Sequence, residues 1–359
     1  MQVQTKSVLI RDALLDRIKR GIYSSSKKLP AERKLAAEFG VSYMTARKAV
    51  SDLVDCDFLE RRNRDGVFLS KNALDRLNNK VLNLICTAYD SSLITCFLRA
   101  AQEQGAKDNM KCQVIRVNLQ NHKDAIVAME SDQPCLIFSG REFLENPFFV
   151  DVMKAHHQNI VLIGSNLSSV GIRSVICDDT SAIQLMVELL KKDNHKKIAF
   201  IAHTPNDSNE GLMIAKWKSC FVDQDPEEVE SRLLVASTPM FESCASYVHN
   251  VVKEYLASDK ADATAFICQM DESVIGAMAA CRDAGLSVPE DISFIMHHDT
   301  PNARFLNPSI TAVDPDISLH VKVAIQMLAS SSPGDLRLIN PKVVIRKSIK
   351  PMRMSRGKR

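Results

Sequence analysis

No stretch of this chain runs for about 18 apolar residues without interruption, which excludes an ordinary membrane-spanning helix. Its ten cysteines form no Cys-x-x-Cys pair. They stand singly at 56, 86, 96, 112, 135, 177, 220, 244, 268 and 281. Most sit inside apolar runs such as LNLICTAY and ATAFICQM, so reduced core cysteines in a cytoplasmic protein are expected, with no disulfide and no metal site. There is no Gly-x-x-x-x-Gly-Lys loop to cradle phosphates and no Gly-x-Ser-x-Gly elbow. An enzyme is therefore not expected, nor a cofactor. The opening MQVQTKSVLIRDALLDRIKR places charges where a secretion signal needs apolar residues, and it reads as an amphipathic helix. A large charge imbalance is also missing, the net charge being +3 over 359 residues.

The charge is unevenly placed. Residues 1–71 hold 15 Lys and Arg against 9 Asp and Glu, whereas the rest of the chain holds 31 against 34. A basic head on a slightly acidic body points to a polyanionic partner for the head. At this length two or three domains with real cores are expected.

Within the head, Val8, Leu14, Leu15 and Ile18 recur at helical spacing. Pro30 suits the first turn of a second helix with Leu35, Ala36 and Phe39 on one face, which Gly40 stops. Ser42 caps a third helix, from Tyr43 to about Val54, that buries Ala46, Val50 and Leu53. FLERR, NRDG and VFLS then read as strand, turn and strand, with Gly66 in the turn. Three helices and a hairpin make a winged helix-turn-helix of residues 1–70. A helix fits the major groove of duplex DNA, and the residues that reach base edges lie at its start. Here these are Ser42, Tyr43, Met44, Thr45 and Arg47. Arg47 suits a guanine edge and Lys48 a phosphate, while Arg33 reaches backbone or base. The wing adds Arg62, Asn63, Arg64 and Gly66. The bland alternative is a solvated helical face.

LPAERKLAAEFGVSYMTARKAVSDLVDCDFLERRNRDGVFL resembles the DNA-binding domain of the GntR family of bacterial transcription regulators over nearly its whole length. The resemblance implies DNA contacts for Arg33, Thr45, Arg47 and Gly66. One departure is Arg64-Asp65-Gly66, where the family has glycine, a basic residue and glycine. Losing the first glycine limits close approach of the wing backbone.

After a polar linker at 71–80, apolar runs (VLNLIC, CQVIRV, CLIFSG, NIVLIG, KIAFIA, ATAFIC, ISFIMH) alternate with amphipathic segments, the pattern of a parallel α/β architecture. Residues 81–351 resemble the effector domain of LacI-type repressors, strongest in VPEDISFIMHHDTPNARFLNPSITAVDPDI. A basic tail, 352–359, follows. The implied fold is an α+β winged helix-turn-helix joined to a two-lobed α/β domain like the type 1 periplasmic binding proteins. The first lobe would take about 81–176 and 314–330, the second about 177–300 and the C-terminal strand.

The resemblance further implies a homodimeric, cytoplasmic repressor of a palindromic duplex operator, without membrane contact. A small-molecule effector would sit between the lobes, at Gly164, Asp178, Trp217, Met270, Asp271, His298 and Asp299. Four of these depart from the family pattern. Trp217 and Cys220 stand in place of an arginine and a glycine, Met270 replaces an asparagine, His298 one of two aspartates, and Gly164 a further aspartate. Three readings stay open: a less hydroxylated or aromatic effector stacked on Trp217, a sugar held by other residues, or a body that only dimerises. Asp271 also suits a helix N-cap. His297 and His298 are not expected to share a metal, because neighbours on a strand point to opposite faces.

Overall fold

The structure is a computed structural model that describes residues 6–23, 28–55, 58–62, 65–70, 81–89, 91–118, 122–131, 133–138, 146–203, 208–239, 242–329 and 332–352. Asn63 and Arg64 of the wing, the linker 71–80 and most of the basic tail lie outside the described residues. The chain forms two compact units that part at Val81–Leu82, and each is described by itself.

In the first unit α1 (Lys6–Lys19), α2 (Glu32–Glu38) and α3 (Tyr43–Asp55) precede an antiparallel hairpin of β1 (Leu59–Arg62) and β2 (Gly66–Leu69). The α1 stripe that reaches the core is Ile10, Leu14 and Ile18, one step round the helix from the spacing that begins at Val8. Leu35, Val50 and Leu53 meet it from α2 and α3, and Leu59 and Leu69 close it from the hairpin. Ser42 starts α3 by accepting the Thr45 amide at 3.1 Å, satisfying a donor the helix leaves free. Gly66 sits at φ +116°, a conformation side-chain-bearing residues rarely adopt.

The second unit carries two six-stranded sheets. The first is ordered β13-β7-β6-β5-β3-β4, from β3 (Val81–Thr87), β4 (Lys111–Val117), β5 (Cys135–Phe138), β6 (Ile160–Ile163), β7 (Arg173–Cys177) and β13 (Leu336–Ile339). The second is ordered β14-β12-β11-β10-β8-β9, from β8 (Ile198–Ala202), β9 (Leu233–Val235), β10 (Ala265–Cys268), β11 (Ser293–Met296), β12 (Thr311–Asp314) and β14 (Lys342–Val344). Central strands such as IAFIA and AFIC are buried along their whole length, as parallel strands covered on both faces must be. Only β14 runs antiparallel to its neighbour β12 among the registers that define the second sheet.

The chain crosses between sheets three times. After β7 it enters α7 (Asp179–Lys192), whose Ala182, Ile183, Met186, Val187 and Leu190 pack into the core of the second sheet. After β12 it returns through α12 (Ile317–Leu328), which packs on β6, β7 and α4 (Ser92–Lys107), and so reaches β13. From β13 it crosses once more to β14. Each sheet with its helices is one lobe.

Two contacts make the second lobe testable. Helix α10 (Ala245–Leu256) lies so close to α11 (Asp271–Asp283) that a Cβ on Gly276 would stand 2.2 Å from the Ala245 carbonyl oxygen. Gly276→Ala is therefore expected to push the helices apart and cost about 1–3 kcal/mol, read as a lower thermal midpoint. The other contact is ionic. Buried Arg232 donates to both oxygens of Asp262, at 2.8 and 2.9 Å, and Lys197 approaches the same carboxylate at 2.9 Å. The bonds from Arg232 outweigh burial and hold the Asp262 carboxyl down at about 2. A carboxylate depressed in the folded state contributes stability above its unfolded value near about 4. That contribution fades as pH falls through the folded value. Asp262→Asn should lower the urea midpoint at neutral pH and flatten its decline between about pH 4 and pH 2.

Candidate functional site

The start of α3 presents its side chains outward. Ser42, Tyr43, Met44, Arg47 and Lys48 are exposed, as is Arg33 on α2, while Thr45 is half-buried. Met44 is 65% exposed, so its side chain is open to whatever meets the helix start. One shallow groove of about 670 Å³ runs along Lys6, Met44, Thr45, Arg47 and Lys48. A second, of about 630 Å³, runs between Arg33, Tyr43, Arg62 and Gly66. The start of α3 thus separates two grooves.

The charges around them differ in pairing. Arg61 is held by Glu32 at 2.9 Å, Arg62 by Glu60 at 2.7 Å and Lys28 by Asp65 at 3.1 Å. Arg33, Arg47 and Lys48 enter no ion pair among the described residues, so their charge is available to a phosphate or base edge. Ser42 is otherwise engaged. Its hydroxyl caps α3 and bonds the Thr45 hydroxyl at 2.8 Å. The Arg62 guanidinium lies over Phe68, 4.4 Å from the ring centre, which holds the wing's root in place.

In the second unit, strand ends from both sheets supply polar groups that meet. Ligands in open α/β sheets bind outside the carboxyl ends of the strands. Here those ends carry Tyr89 and Ser92 after β3, His203 after β8, Gln269 to Glu272 after β10, and His297 to Asp299 after β11. Hydrogen bonds span the two lobes. Ser92 Oγ donates to Asp271 Oδ2 at 2.7 Å, and Asn302 Nδ2 donates to both Ser92 Oγ (2.8 Å) and Asp271 Oδ2 (3.0 Å). The Tyr89 hydroxyl donates to Glu272, whose other oxygen accepts from Ser243 at 2.7 Å. Burial, with that bond to Glu272, pushes the Tyr89 hydroxyl well above its ordinary value, so it stays a donor. Deeper in the second lobe, buried Glu210 accepts from Gln269 and from the His203 amide (2.7 Å), and His203 Nε2 pairs with Ser273 Oγ at 2.7 Å.

The expected cleft residues fare differently. Asp271 and His298 lie in this cluster. Gly164 follows β6 at φ +90°. Asp178 is the N-cap of α7, its oxygens taken by the Ser181 amide (3.0 Å) and hydroxyl (2.6 Å) and by Thr180 (2.8 Å). Asp299 is clamped by Arg346 at 2.8 and 2.7 Å. Met270 packs against the core of the second sheet.

Trp217 corrects the reading as a stacking platform. It is fully buried between Phe200 and Phe221, so neither ring face is open to a ligand. Asp271 is the first residue of α11 rather than its N-cap, which is Met270. Sequence reading passed over Tyr89, Ser92, Asp179, His203, Glu210, Gln269 and Glu272. His203 and Gln269 follow directly on strand ends, and Tyr89 and Asp179 lie two residues beyond them, a position that marks these four without any motif.

The objection to a His297–His298 pair also gives way, because β11 ends at Met296 and the alternation ends with it. The two rings lie 4.3 Å apart, centre to centre. His297 Nε2 is 3.3 Å from Asp179 Oδ1. Burial, together with the neighbouring His297 charge, pushes the His298 imidazole down to about 3, keeping it neutral. For Asp179 burial works upward, but the neighbouring imidazole of His297 prevails and holds the carboxyl below its usual range.

Known proteins match both units. Residues 6–69 match the model of bacterial regulatory proteins of the gntR family, and residues 187–349 that of the periplasmic binding protein-like domain. The chain is 23% identical to the arabinose metabolism transcriptional repressor of Geobacillus stearothermophilus, over 96% of this chain and 98% of that one. It is 20% identical to the repressor of the same description from Halalkalibacterium halodurans, over 99% of each. Among solved structures, the transcription regulator CcpA of Lactococcus lactis aligns with a TM-score of 0.64 at 16% identity, over 76% of this chain and all of that one. A LacI family regulator from Enterococcus faecium with bound ribose aligns with a TM-score of 0.62, also at 16% identity, over 76% of this chain and all of that one. Among the described residues no helix is long and apolar enough to cross a membrane. The chain therefore joins a GntR-family helix-turn-helix domain to a periplasmic-binding-protein-like domain with the fold of LacI-family regulators.

Proposed function

We propose that this chain is a sequence-specific transcriptional repressor whose hold on its operator is set by a small sugar in the cleft of the second unit. It acts in the cytoplasm, as a homodimer on a palindromic site, and is a regulator rather than an enzyme. The observation that carries the reading is the exposed cationic set of Arg33 on α2 with Arg47 and Lys48 on the first turns of α3, none of them in an ion pair among the described residues, on a chain that matches arabinose repressors from end to end. A helix start of that kind reads base edges while its cations meet phosphate. Repression by such a protein is relieved when a ligand binds one arrangement of the lobes better than the other.

A second reading has one observation in its favour. Asp271 is satisfied by Ser92 of the first lobe, and Asp299 and Glu210 by Arg346 and Gln269 of the second, so these carboxylates have partners without an effector, and the body could serve only to dimerise. Two measurements on the full chain separate the readings. Duplexes are first selected from a random pool and their retention measured against salt. Arabinose, ribose and a panel of other sugars are then added, with retention and thermal midpoint recorded. A raised midpoint and a released duplex with one sugar support the repressor reading. Site-selective binding that no sugar changes supports the dimerising body. Absence of any site selection defeats both.

A further inference from the structure

Asp179 and His297, together with His298 of the expected effector set, form a group apart from the hydrogen bonds that join the lobes. One ligand atom from each lies within 4.8 Å of the others. His297 is 1% exposed. Asp179 Oδ1, both ring nitrogens of His297 and Nδ1 of His298 are all buried without a hydrogen-bond partner among the described residues. The contact of 3.3 Å between His297 and Asp179 is close, but it lacks the alignment of a hydrogen bond. Four such atoms in one cluster are unusual, since a buried polar atom left unpaired costs about 1–3 kcal/mol and native structures hold few of them. A His297–Asp179 ion pair would account for two of the four and leave the Nδ1 atoms of both imidazoles. Something that accepts electron pairs from all three side chains would account for the cluster.

We propose that these three residues bind one divalent transition-metal ion, of which zinc is the type. Two imidazoles and a carboxylate are a donor set suited to that class. Ligand bonds of about 2.0–2.2 Å to a tetrahedral ion place neighbouring donors roughly 3.3–3.5 Å apart, and the His297–Asp179 distance already falls there. The backbone presets the ligands. The His297 amide bonds the Cys268 carbonyl at 2.8 Å, and the His298 amide bonds that of Gln269 at 3.1 Å. Asn209 Nδ2 donates to the other oxygen of Asp179 at 2.8 Å, an outer contact of the kind that orients metal-bound carboxylates. All three ligands belong to the second lobe, Asp179 through α7 and the histidines through the end of β11, so the site forms whether or not the lobes close. Three protein donors leave a coordination position for water or for an oxygen of a bound effector.

The test uses untagged full-length protein, stripped with a chelator, and Zn²⁺ alone with no sugar present. Calorimetric titration is expected to give one ion per chain. His298→Ala and Asp179→Asn should each weaken binding by about tenfold or more. His249→Ala, which removes a surface imidazole facing Asp283, should change nothing. Co²⁺ should show ligand-field absorption that the first two variants lose. Metal-free melting curves and circular dichroism that match wild type show that those variants are folded. Absence of Zn²⁺ binding to wild type, or equal binding in wild type and both variants, overturns the proposal. The sugar reading is decided separately, by the midpoint shift with arabinose or ribose in chelator.

Discussion

Arg47→Ala is expected to reduce the affinity of the full chain for its selected duplex by roughly five- to 150-fold, while leaving binding to random duplex nearly unchanged. The figure is the fold-change for about 1–3 kcal/mol of base discrimination by a forked arginine contact. The side chain is exposed and in no ion pair among the described residues, so its removal takes nothing from the buried face of α3, where Ala46, Ala49, Val50 and Leu53 pack. Circular dichroism and the melting curve should match wild type. Lys48→Ala is the informative partner. A phosphate contact carries no sequence information, so that variant should weaken specific and random duplexes alike, and it should reduce the salt slope by about one. Measurement by fluorescence anisotropy at several salt concentrations separates the two. Undiminished site preference in Arg47→Ala would move the reading function to another element of the head.

Asp271→Ala should have the largest effect on the body. One carboxylate oxygen accepts from Ser92 of the first lobe and from Thr300 and Asn302 of the second. Its removal leaves these donors to find water in a confined cleft and deletes the acceptor that ties the lobes together. The expected loss is about 1–3 kcal/mol of stability, together with loss of any midpoint shift on adding sugar. Asp271→Asn keeps an acceptor oxygen of the same size and should recover most of the stability, which separates the clasp from a demand for charge. Urea unfolding measures the first effect and thermal shift the second. A variant that responds to sugar like wild type would show that the lobes are clasped elsewhere, with the Tyr89–Glu272 bond the next candidate.

The head was legible because its determinants are local. Ser42 caps, Gly66 turns, and the buried residues of α3 recur at helical spacing, so a window of a few residues contains each cause with its effect. The parallel strands of the body were legible for a related reason, since strands buried on both faces must be apolar throughout.

The cleft was not legible in the same way. Ser92, Asp271 and Asn302 lie some 180 to 210 positions apart at the extremes, and only the stacking of strand ends from two sheets brings them together. The same stacking decided which polar residues remain free. It gives Asp299 to Arg346 and Trp217 to the core, whereas Asp178 is consumed locally, in capping α7 through Thr180 and Ser181. Asp179, one residue along from the cap, is left beside His297 and His298 with a buried oxygen unpaired. Sequence by itself determined which segments become helix or strand and where the head keeps its positive charge, because neighbours along the chain settle those matters. Tertiary structure decided which carboxylates and imidazoles still have an open valence, because a side chain's partners are the groups that folding delivers to it.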